Sequence, residues 1–550
     1  MEKYWKRYEK GMDYIRRKRL IDETNKNWNF YSGNQWEGVE SGGEELPFLN
    51  FIKPTIKHKV STVSQNNMVA KYSDAEGRED LSAVYEKLNV RFMASWERAN
   101  MDMEAWAVMK DAAVTGDGIH YYGTGDVKDV QRIPNTSVLY GDESNPKVQE
   151  QPYIIIHQRR SVNEVREEAR ANGIDEEQIQ LIVADYETDT LIGNKDELEQ
   201  DSKKEEAKVT TIIHMEKKNG VIHVAKCTKH VVFEPEHPIV ATKEIDGTPF
   251  KALTLYPIVK MSWEDFPNSA RGVSEVKQLI PNQLEINKTL ARRSLIIKLT
   301  AYPRIAYDPN LIGNAEDLDK VGAPIEMNTG GVQSVSQLIQ YLNPAQSNSD
   351  PKNYADDLLS LTQELSGSGE TAMGNINPNR VAASAIIAIR DQAALPLNEQ
   401  VAKKTTFVEE SAMLWVELWM VYNPNGFEVV MEEQDPITGE ITETLKQVTK
   451  EDLERIKPDI RIDTSQDNPW TKEAEQNWLD GVLDKQHISF EEYIDASPEH
   501  GIVPKNKMLE ILEKRQAQMM AQEAQMLEAE YGDAMQQAMQ AWGGQDGQQM

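Results

Sequence analysis

The feature that most constrains the fold is a pair of helical rods on either side of a short β-rich insert. The first rod is predicted over Asn282–Thr300, with Pro281 at its first position and Pro303 beyond its end. At ~1.5 Å per residue it is roughly 28 Å long. The second rod, Asp350–Leu365, has a similar size. We expect the working part of the molecule in the block that contains both rods, Arg271–Tyr422.

The segment between the rods is rich in β-type residues and short turns. It is predicted to form a small β insert, with strands near Arg304–Tyr307, Pro324–Met327 and Val332–Val335. The insert interrupts a block that is otherwise helical.

A glycine-rich segment follows the second rod and is too flexible for a helix. Its characteristic residues are Gly367, Ser368, Gly369, Glu370, Thr371, Gly374 and Asn375. The segment is either a long surface loop or a mobile element that projects into a central space. Beyond it, Asn379 is positioned to cap a long helix, Arg380–Tyr422, in which Pro396 removes one backbone hydrogen bond and is expected to produce a kink.

Residues 1–265 are predicted to form one large α+β domain. Helices are expected over residues 2–31, from Pro54 to about Asn66, and over residues 78–115, and a polar helical hairpin over Ser161–Ala184. The β-type runs are Ile119–Tyr122, Tyr153–Arg159, Val209–Glu216, Val221–Thr228, Val231–Glu234 and Leu253–Met261. The charged stretch Asn194–Lys208 is an exposed helix or a loop.

The chain after Tyr422 is predicted to contain one hairpin and several helices. The hairpin is Phe427–Val448, and a short helix with an extended segment follows over residues 451–465. Further helices are expected over Thr471–Leu483, Ser489–Ala496 and Lys505–Ala541, with a disordered end.

The composition limits the classes of protein to which the chain belongs. Its 90 acidic and 60 basic residues give a net charge of −30, which repels nucleic acids and anionic membranes at long range. Cys227 is the only cysteine, so no intramolecular disulfide and no cysteine-based zinc finger forms. The first residues carry no apolar signal region, and no apolar run reaches the ~18 residues that span a bilayer. We expect a soluble protein of a reducing cytoplasm.

Motifs of catalysis are missing from the sequence. There is no GxxxxGK[ST], HExxH, HRD or GxSxG pattern. The best metal-ligand candidates are His223, Cys227, His230, Glu234, Glu236 and His237. They fall on consecutive β-type runs, where alternate side chains point in opposite directions, so ordinary strand residues are the better interpretation. We therefore expect an assembly protein, with no catalytic residue, metal or cofactor.

The region Arg271–Thr300 differs from the rest of the chain in its charge. Six basic residues against two acidic ones leave a net charge of +4. Lys288, Arg292 and Arg293 share a helical face, opposite Leu290 and Ile297, and Lys298 follows one turn later. This face is solvated, forms salt bridges with neighbouring subunits, or contacts a phosphate backbone.

Three segments carry a resemblance to a known family. The first is NWNFYSGNQW, residues 27–36, followed by Asn50-Phe51-Ile52 and Pro54. The second is GVSEVKQLIPNQLEINKTLARRSLIIK, Gly272–Lys298, and the third is Leu359–Gly374 followed by Asn379–Asp391. Together with the order of elements over residues 5–425, they resemble the portal proteins of tailed double-stranded-DNA bacteriophages.

The resemblance implies a homo-oligomeric ring, normally of twelve subunits, at one capsid vertex, with a central channel for DNA. The implied parts are a wing (1–265), a first stem helix region (266–300), a clip (301–345), a second stem helix (346–366), a tunnel loop (367–379), a long kinked helix returning to the wing (380–465), and a helical crown with a flexible tail (466–550).

The resemblance also implies partners and a location. The clip would dock the large subunit of terminase, which supplies the ATP energy, and later a head-completion or adaptor protein. The scaffold, the major capsid protein and double-stranded DNA are further partners, with no membrane involved. The protein would reside in the virion after assembly in the cytoplasm of a bacterial host.

The sequence departs from the family at the tunnel loop, because no lysine or arginine lies between Gly367 and Asn379. We therefore assign this loop no direct phosphate contact. Two alternatives remain: another phage assembly protein, such as a scaffold or a head–tail adaptor, and a metal-dependent enzyme that uses the His223–His237 region.

Overall fold

A computed structural model describes residues 2–40, 46–123, 130–185, 208–240, 252–301, parts of 304–328, 339–342, 350–367, 395–423, 425–434 and 441–466, and a few positions between 479 and 493. The fold is mixed α+β and about half helical. Contacts divide the chain into two compact units, Met1–Ser64 with Met68–Thr464, and Gln65–Asn67 with Ser465–Met550. The helices expected beyond Thr471 lie almost entirely outside the described residues.

The described residues form eleven α-helices. They are α1 (Glu2–Lys18), α2 (Leu20–Ser32), α3 (Ile52–Ser64), α4 (Ser82–Arg98), α5 (Met101–Thr115), α6 (Val162–Ala171), α7 (Glu176–Ile179), α8 (Glu275–Ala301), α9 (Asp350–Leu365), α10 (Asn398–Tyr422) and α11 (Lys450–Arg455). Within the part of the chain that is described, no helix is both long and apolar enough to span a bilayer.

Fourteen strands are described, in five small sheets. They are β1 (Asn66–Asp74), β2 (Asp117–Tyr122), β3 (Val130–Ile133), β4 (Val138–Tyr140), β5 (Tyr153–Ser161), β6 (Lys208–Lys218), β7 (Val221–Cys227), β8 (Val232–Pro238), β9 (Ile258–Ser262), β10 (Arg304–Tyr307), β11 (Ile339–Leu342), β12 (Phe427–Gln434), β13 (Ile441–Val448) and β14 (Pro458–Gln466). The sheet orders are β4-β5-β6-β7-β8, β3-β2-β9, β1-β14, β10-β11 and β12-β13.

Two helices predicted to be continuous are broken in the structure. The helix expected over residues 2–31 is divided at Arg19, and the one over residues 78–115 is divided near Asn100. Both residues adopt a left-handed backbone, with φ of 52° and 50°. A residue in that conformation ends the run of helical hydrogen bonds, and the apolar pattern alone does not reveal it.

The strand predictions between Ile119 and Met261 are confirmed in position, and the hairpin Phe427–Val448 forms with Phe427 opposite Val448. The leading half of the run Leu253–Met261 is not a strand; β9 begins only at Ile258. Strand β1 was not expected. It pairs with β14, almost 400 residues later, and such a partner cannot be identified from local sequence.

Helix α10 packs in the core of residues 2–265. Its Trp415 and Trp419 are fully buried, and Trp415 meets Phe92 at a ring-centroid distance of 5.3 Å. The hydroxyl of Tyr72 donates to the carbonyl of Ala412 at 2.9 Å. The chain after the rods therefore returns to its first half, and residues 2–265 with 395–464 are called the body below.

The first rod begins earlier than predicted. Helix α8 is continuous over 27 residues, about 40 Å, and Pro281 lies inside it rather than at its first position. The expected equality with the second rod is therefore wrong, because α9 has 16 residues and a length of about 24 Å. Proline removes only one hydrogen bond there, and the buried Val276, Leu279 and Ile280 hold the first turns in the core.

Helices α8 and α9 form an antiparallel pair. The Asn282 amide near the start of α8 donates to the hydroxyl of Thr362 near the end of α9, at 3.1 Å. Strands β10 and β11, which continue from the other ends of the two helices, pair antiparallel with Arg304 opposite Leu342. The rod pair, α8 with α9, therefore ends in a β-ladder that leads into the insert.

Among the described residues of the insert, one predicted strand is confirmed, one is wrong, and β11 was not expected. Arg304–Tyr307 is a strand, but Pro324–Met327 is not, and only Met327 forms a single bridge, with Ile312. The backbone of this segment bonds to the Asn314 side chain instead of to a neighbouring strand. The Asn314 amide oxygen accepts from the Glu326 amide and its nitrogen donates to the Pro324 carbonyl, both at 2.7 Å. The expected strand Val332–Val335 lies outside the described residues.

Candidate functional site

The predicted basic face lies near the outer end of α8. Lys288, Arg292 and Lys298 are exposed, and Arg293 is half-buried. The Arg292 guanidinium lies 3.7 Å from the carboxylate of Glu285, and both side chains are open to solvent. Exposed pairs of this kind contribute little to stability, so the charges of Lys288, Arg292 and Arg293 remain available to a polyanion or a neighbouring subunit.

Arg271, one of the six basic residues counted in this region, has a structural role instead. The buried Arg271 guanidinium makes two hydrogen bonds to the Glu143 carboxylate, at 2.8 and 2.9 Å, and two more to backbone carbonyls. Its pKa is held above its ordinary value by Glu143, against the opposing effect of burial. Lys277 pairs with Glu23 at 2.8 Å. The local excess of free positive charge is therefore smaller than the sequence indicated.

The rod pair also exposes large apolar side chains. Leu295 and Ile297 on α8 and Tyr354 and Leu361 on α9 are about half exposed. Leu290, expected on the same side as Ile297, instead packs partly against the body. Large apolar side chains left half exposed along one pair of helices indicate a surface that can bind another protein.

The inner part of α8 is joined to the body by a buried polar network. Gln283 accepts from the Phe51 amide at 3.2 Å and donates to the Leu49 carbonyl at 2.7 Å. Asn287 donates to the Gln35 side chain at 2.6 Å and accepts from the Gln283 amide at 3.0 Å. Because Gln35 and residues 49–51 belong to the N-terminal motif, this motif fixes the position of the rod.

Sequence reasoning missed this network, although the residues carried a signal. Gln283 and Asn287 lie one helical turn apart among apolar neighbours, which favours a shared buried partner over solvent. The partner itself lies more than 230 residues away in the chain.

The first turn of α8 is held by a helix cap and by three contacts to the body. The hydroxyl of Ser274 accepts from the Lys277 amide at 3.3 Å, as a helix-capping serine does, and donates to the Val114 carbonyl at 2.6 Å. The Glu275 carboxylate pairs with Lys59 at 2.7 Å and accepts from the Trp263 indole at 3.1 Å. Each contact joins the start of the rod to a different element of the body.

Of the predicted tunnel-loop residues, only Gly367 is described. It ends α9 with a φ of +71°, and its amide donates to the Glu364 carbonyl at 3.0 Å. Ser368, Gly369, Glu370, Thr371, Gly374 and Asn375 lie outside the described residues. Pro396 lies in a short 3-10 turn, Leu395–Leu397, directly before α10, and the upstream part of the predicted kinked helix is not described.

The metal-ligand candidates do not converge. Within the described parts of the chain, no group of three or more histidine, cysteine, aspartate or glutamate side chains is placed to hold an ion. Cys227 is buried in an apolar cluster, and burial raises the pKa of its thiol to about 12. His223 and His237 lie 3.8 and 3.5 Å from different glutamates, Glu236 and Glu234.

Comparison with protein-family models gave no match, and comparison with curated proteins gave none either.

Proposed function

We propose that this protein is the portal protein of a tailed double-stranded-DNA bacteriophage. It forms a homo-oligomeric ring, normally of twelve subunits, at one capsid vertex, through which DNA is packaged and ejected. The observation that carries the proposal is the rod pair. Two antiparallel helices leave an α+β body, end in a β-ladder and an insert, and are followed by a helix that returns to the body.

In this proposal the body is the wing, the rod pair is the stem and the insert is the clip. The clip docks the large subunit of terminase and later a head-completion or adaptor protein. The scaffold and the major capsid protein contact the ring in the capsid. The protein is assembled in the bacterial cytoplasm and stays in the virion, with no membrane involved.

The half-exposed apolar residues on the rod pair support ring formation. Full burial of one large apolar side chain contributes about 1.5–3 kcal/mol, and each subunit offers four such residues on α8 and α9. Side-by-side packing of rod pairs around a ring would cover them. One repeated heterologous contact is sufficient to close such a ring.

The charge distribution supports DNA passage. An acidic chain lets a polyanion slide without tight binding, which would stall transport. The basic side chains at the outer end of α8, Lys288, Arg292, Arg293 and Lys298, supply weak contacts. The chain itself hydrolyses nothing and needs no cofactor, because the energy comes from the terminase.

The proposal is tested by negative-stain electron microscopy of the purified protein. We expect rings with a central hole. A protein that stays monomeric at micromolar concentration, alone and together with its capsid proteins, contradicts the proposal.

Charge reversal on α8 tests the DNA-facing role. The double variant Arg292→Glu, Arg293→Glu should leave the circular dichroism spectrum unchanged and the melting temperature nearly so, because Arg292 is exposed and Arg293 is only half-buried. DNA packaging, measured as nuclease-protected genomes, should fall at least tenfold. The controls are two charge reversals at exposed helix positions of the body. Lys57→Glu makes the same change of charge, and Glu86→Arg makes the opposite change. Normal packaging by the double variant would show that Arg292 and Arg293 are not needed for DNA passage.

A further inference from the structure

Two exposed sides of the rod pair carry opposite charge. On α8, Lys288 is exposed, and Leu295, about two helical turns farther along the same side, is 48% exposed. On α9, Asp357 and Glu364 are exposed and also lie about two turns apart on one side. We call these the α8 side, Lys288 with Leu295, and the α9 side, Asp357 with Glu364.

The α8 side faces neither the body nor α9. Successive residues of a helix are rotated by about 100°, so Lys288 lies about 120° around α8 from Asn282 and about 140° from Gln283. Asn282 faces α9 through its bond to Thr362, and Gln283 faces the body through its bonds to residues 49 and 51. The Lys288 side of the helix is therefore left to solvent within one copy.

The α9 side faces away from α8. Thr362 is buried and holds α9 against α8. By the same rotation, Asp357 lies about 140° and Glu364 about 160° around α9 from Thr362. The α8 side and the α9 side are therefore on opposite sides of one rod pair.

Lys288 and Asp357 lie at the same level along the rods. The contact between Asn282 and Thr362 fixes how the two antiparallel helices are aligned. Lys288 follows Asn282 by six residues, or about 9 Å, and Asp357 precedes Thr362 by five, or about 7.5 Å, both towards the insert. Side-by-side packing of two copies without a vertical shift therefore places Lys288 of one beside Asp357 of the other.

Neither of these two charges is neutralised within the described part of the chain. Lys288 and Asp357 form no ion pair there, and both side chains are exposed. The acid nearest to Lys288 on its own helix, Glu285, lies 3.7 Å from Arg292 instead. Both charges are therefore free to pair with a group outside the chain.

The chemistry of the two sides indicates that each binds the other. Helix α9 exposes Asp356, Asp357 and Glu364 and only one basic residue, Lys352, so its surface repels phosphate and suits a basic protein surface. The α8 side is basic, and its half-exposed Leu295 favours a protein partner, since a phosphate covers no apolar surface. A second copy supplies the matching side at the matching level.

We propose that the α8 side of one copy packs against the α9 side of the next copy, with Lys288 paired to Asp357. The contact joins two different surfaces and is therefore heterologous, which builds a closed ring or an open filament. An ammonium group has three donors, so Lys288 can pair with Asp357 and still contact a phosphate weakly. The inference deepens the proposed function, and only the closure into a ring rests on that function.

Cross-linking of the full-length double variant Lys288→Cys, Asp357→Cys tests the contact. A bismaleimide with a short spacer is used, because it tolerates a thiol separation that a disulfide does not. The native Cys227 is buried and does not compete. Because the two positions lie on opposite sides of one rod pair, links form only between copies, and we expect a ladder of dimers, trimers and larger species.

The controls for cross-linking are the two single variants and the double variant Lys288→Cys, Glu86→Cys, whose second position is exposed on the body. We expect no ladder from any of them. Absence of a ladder from Lys288→Cys, Asp357→Cys overturns the inference. A dimer from one of the single variants also overturns it, because it would show that identical surfaces meet.

Charge exchange gives a second, independent test. Lys288→Glu and Asp357→Lys each place like charges opposite one another, which should weaken self-association at least tenfold in sedimentation velocity. The double variant should recover most of the association. Lys57→Glu and Glu86→Lys, at exposed body positions, make the same changes of charge and should have no effect. No recovery in the double variant would mean that the two residues do not meet.

The two proposals fail in different ways. Rings in electron microscopy with no cross-linked ladder overturn this inference and leave the portal assignment standing. A ladder from a protein that never forms rings overturns the portal assignment and supports the contact.

Discussion

Helix α8 contains two segments that differ in their surroundings, although one run of helical residues joins them. Residues 275–290, the anchored segment, include the buried Val276, Ile280 and Ile286 and the Gln283–Asn287 network. Residues 291–301, the exposed segment, include no buried side chain among those described. The two segments are similarly rich in isoleucine and leucine, although the exposed segment is the more basic.

The comparison teaches that residue type alone does not decide a role in this helix. The anchored segment satisfies its buried polar and apolar groups within one chain. The exposed segment leaves apolar groups half exposed and basic groups in solvent, and in our proposal neighbouring subunits and DNA supply what is missing. Paired substitutions of identical residues in the two environments test this difference.

The largest difference is expected between two arginines, Arg271 just before the anchored segment and Arg292 in the exposed one. Arg271→Met leaves the Glu143 carboxylate buried without its partner and should lower the free energy of unfolding by about 3–5 kcal/mol. Arg292→Met removes only an exposed pair and should change it by less than about 1 kcal/mol. Urea denaturation followed by tryptophan fluorescence reports on the body through Trp415 and Trp419. Equal losses of unfolding free energy in the two variants would mean that the two arginines do not differ in their surroundings.

A smaller difference is expected between two isoleucines. Ile286→Ala opens a cavity in the core and should cost about 2–5 kcal/mol of stability. Ile297→Ala, at a side chain 53% exposed, should cost less than about 0.5 kcal/mol in the isolated subunit. If neighbouring rods cover Ile297, the same variant should nevertheless form fewer rings in electron microscopy. A stability loss at Ile297 as large as at Ile286 would mean that the chain itself buries this side chain.

Local sequence predicts elements well where the chain carries its own stop signals. Asp350–Leu365 is predicted with the bounds that the structure has, because Asp350-Pro351 begins it and Ser366-Gly367 follows it. Strands β5, β6 and β7 are predicted within two residues at each end, since their β-branched runs are bounded by turn residues. These signals act over a few residues and need no distant partner.

Prediction failed where distant contacts decide the outcome. Pro281 was placed at a helix start because proline favours that position, but the core contacts of Val276 and Leu279 extend the helix upstream of it. Arg271 was counted as a surface charge, because its partner Glu143 lies 128 residues earlier.

A cleft on the body lies between α2, the end of α5 and the segment that follows β3, and Asp111 is part of its wall. The pH dependence of the protein's stability tests whether the Asp111 carboxyl is buried. Burial raises its pKa from the ordinary value of 3.8 to about 6, against the opposing effect of Arg132. The protonated Asp111 carboxyl therefore contributes its full stability below pH 3.8, and this stability is lost as the pH rises through 6 and the group ionises.

Asp111→Asn keeps the shape of the side chain and removes the charge. The variant should be more stable than the natural chain at pH 7–8, by about 1–3 kcal/mol after allowance for solvent screening. The advantage should shrink as the pH falls towards 4, which thermal melts across this range measure. An advantage that stays constant with pH would mean that the Asp111 carboxylate is not buried as described.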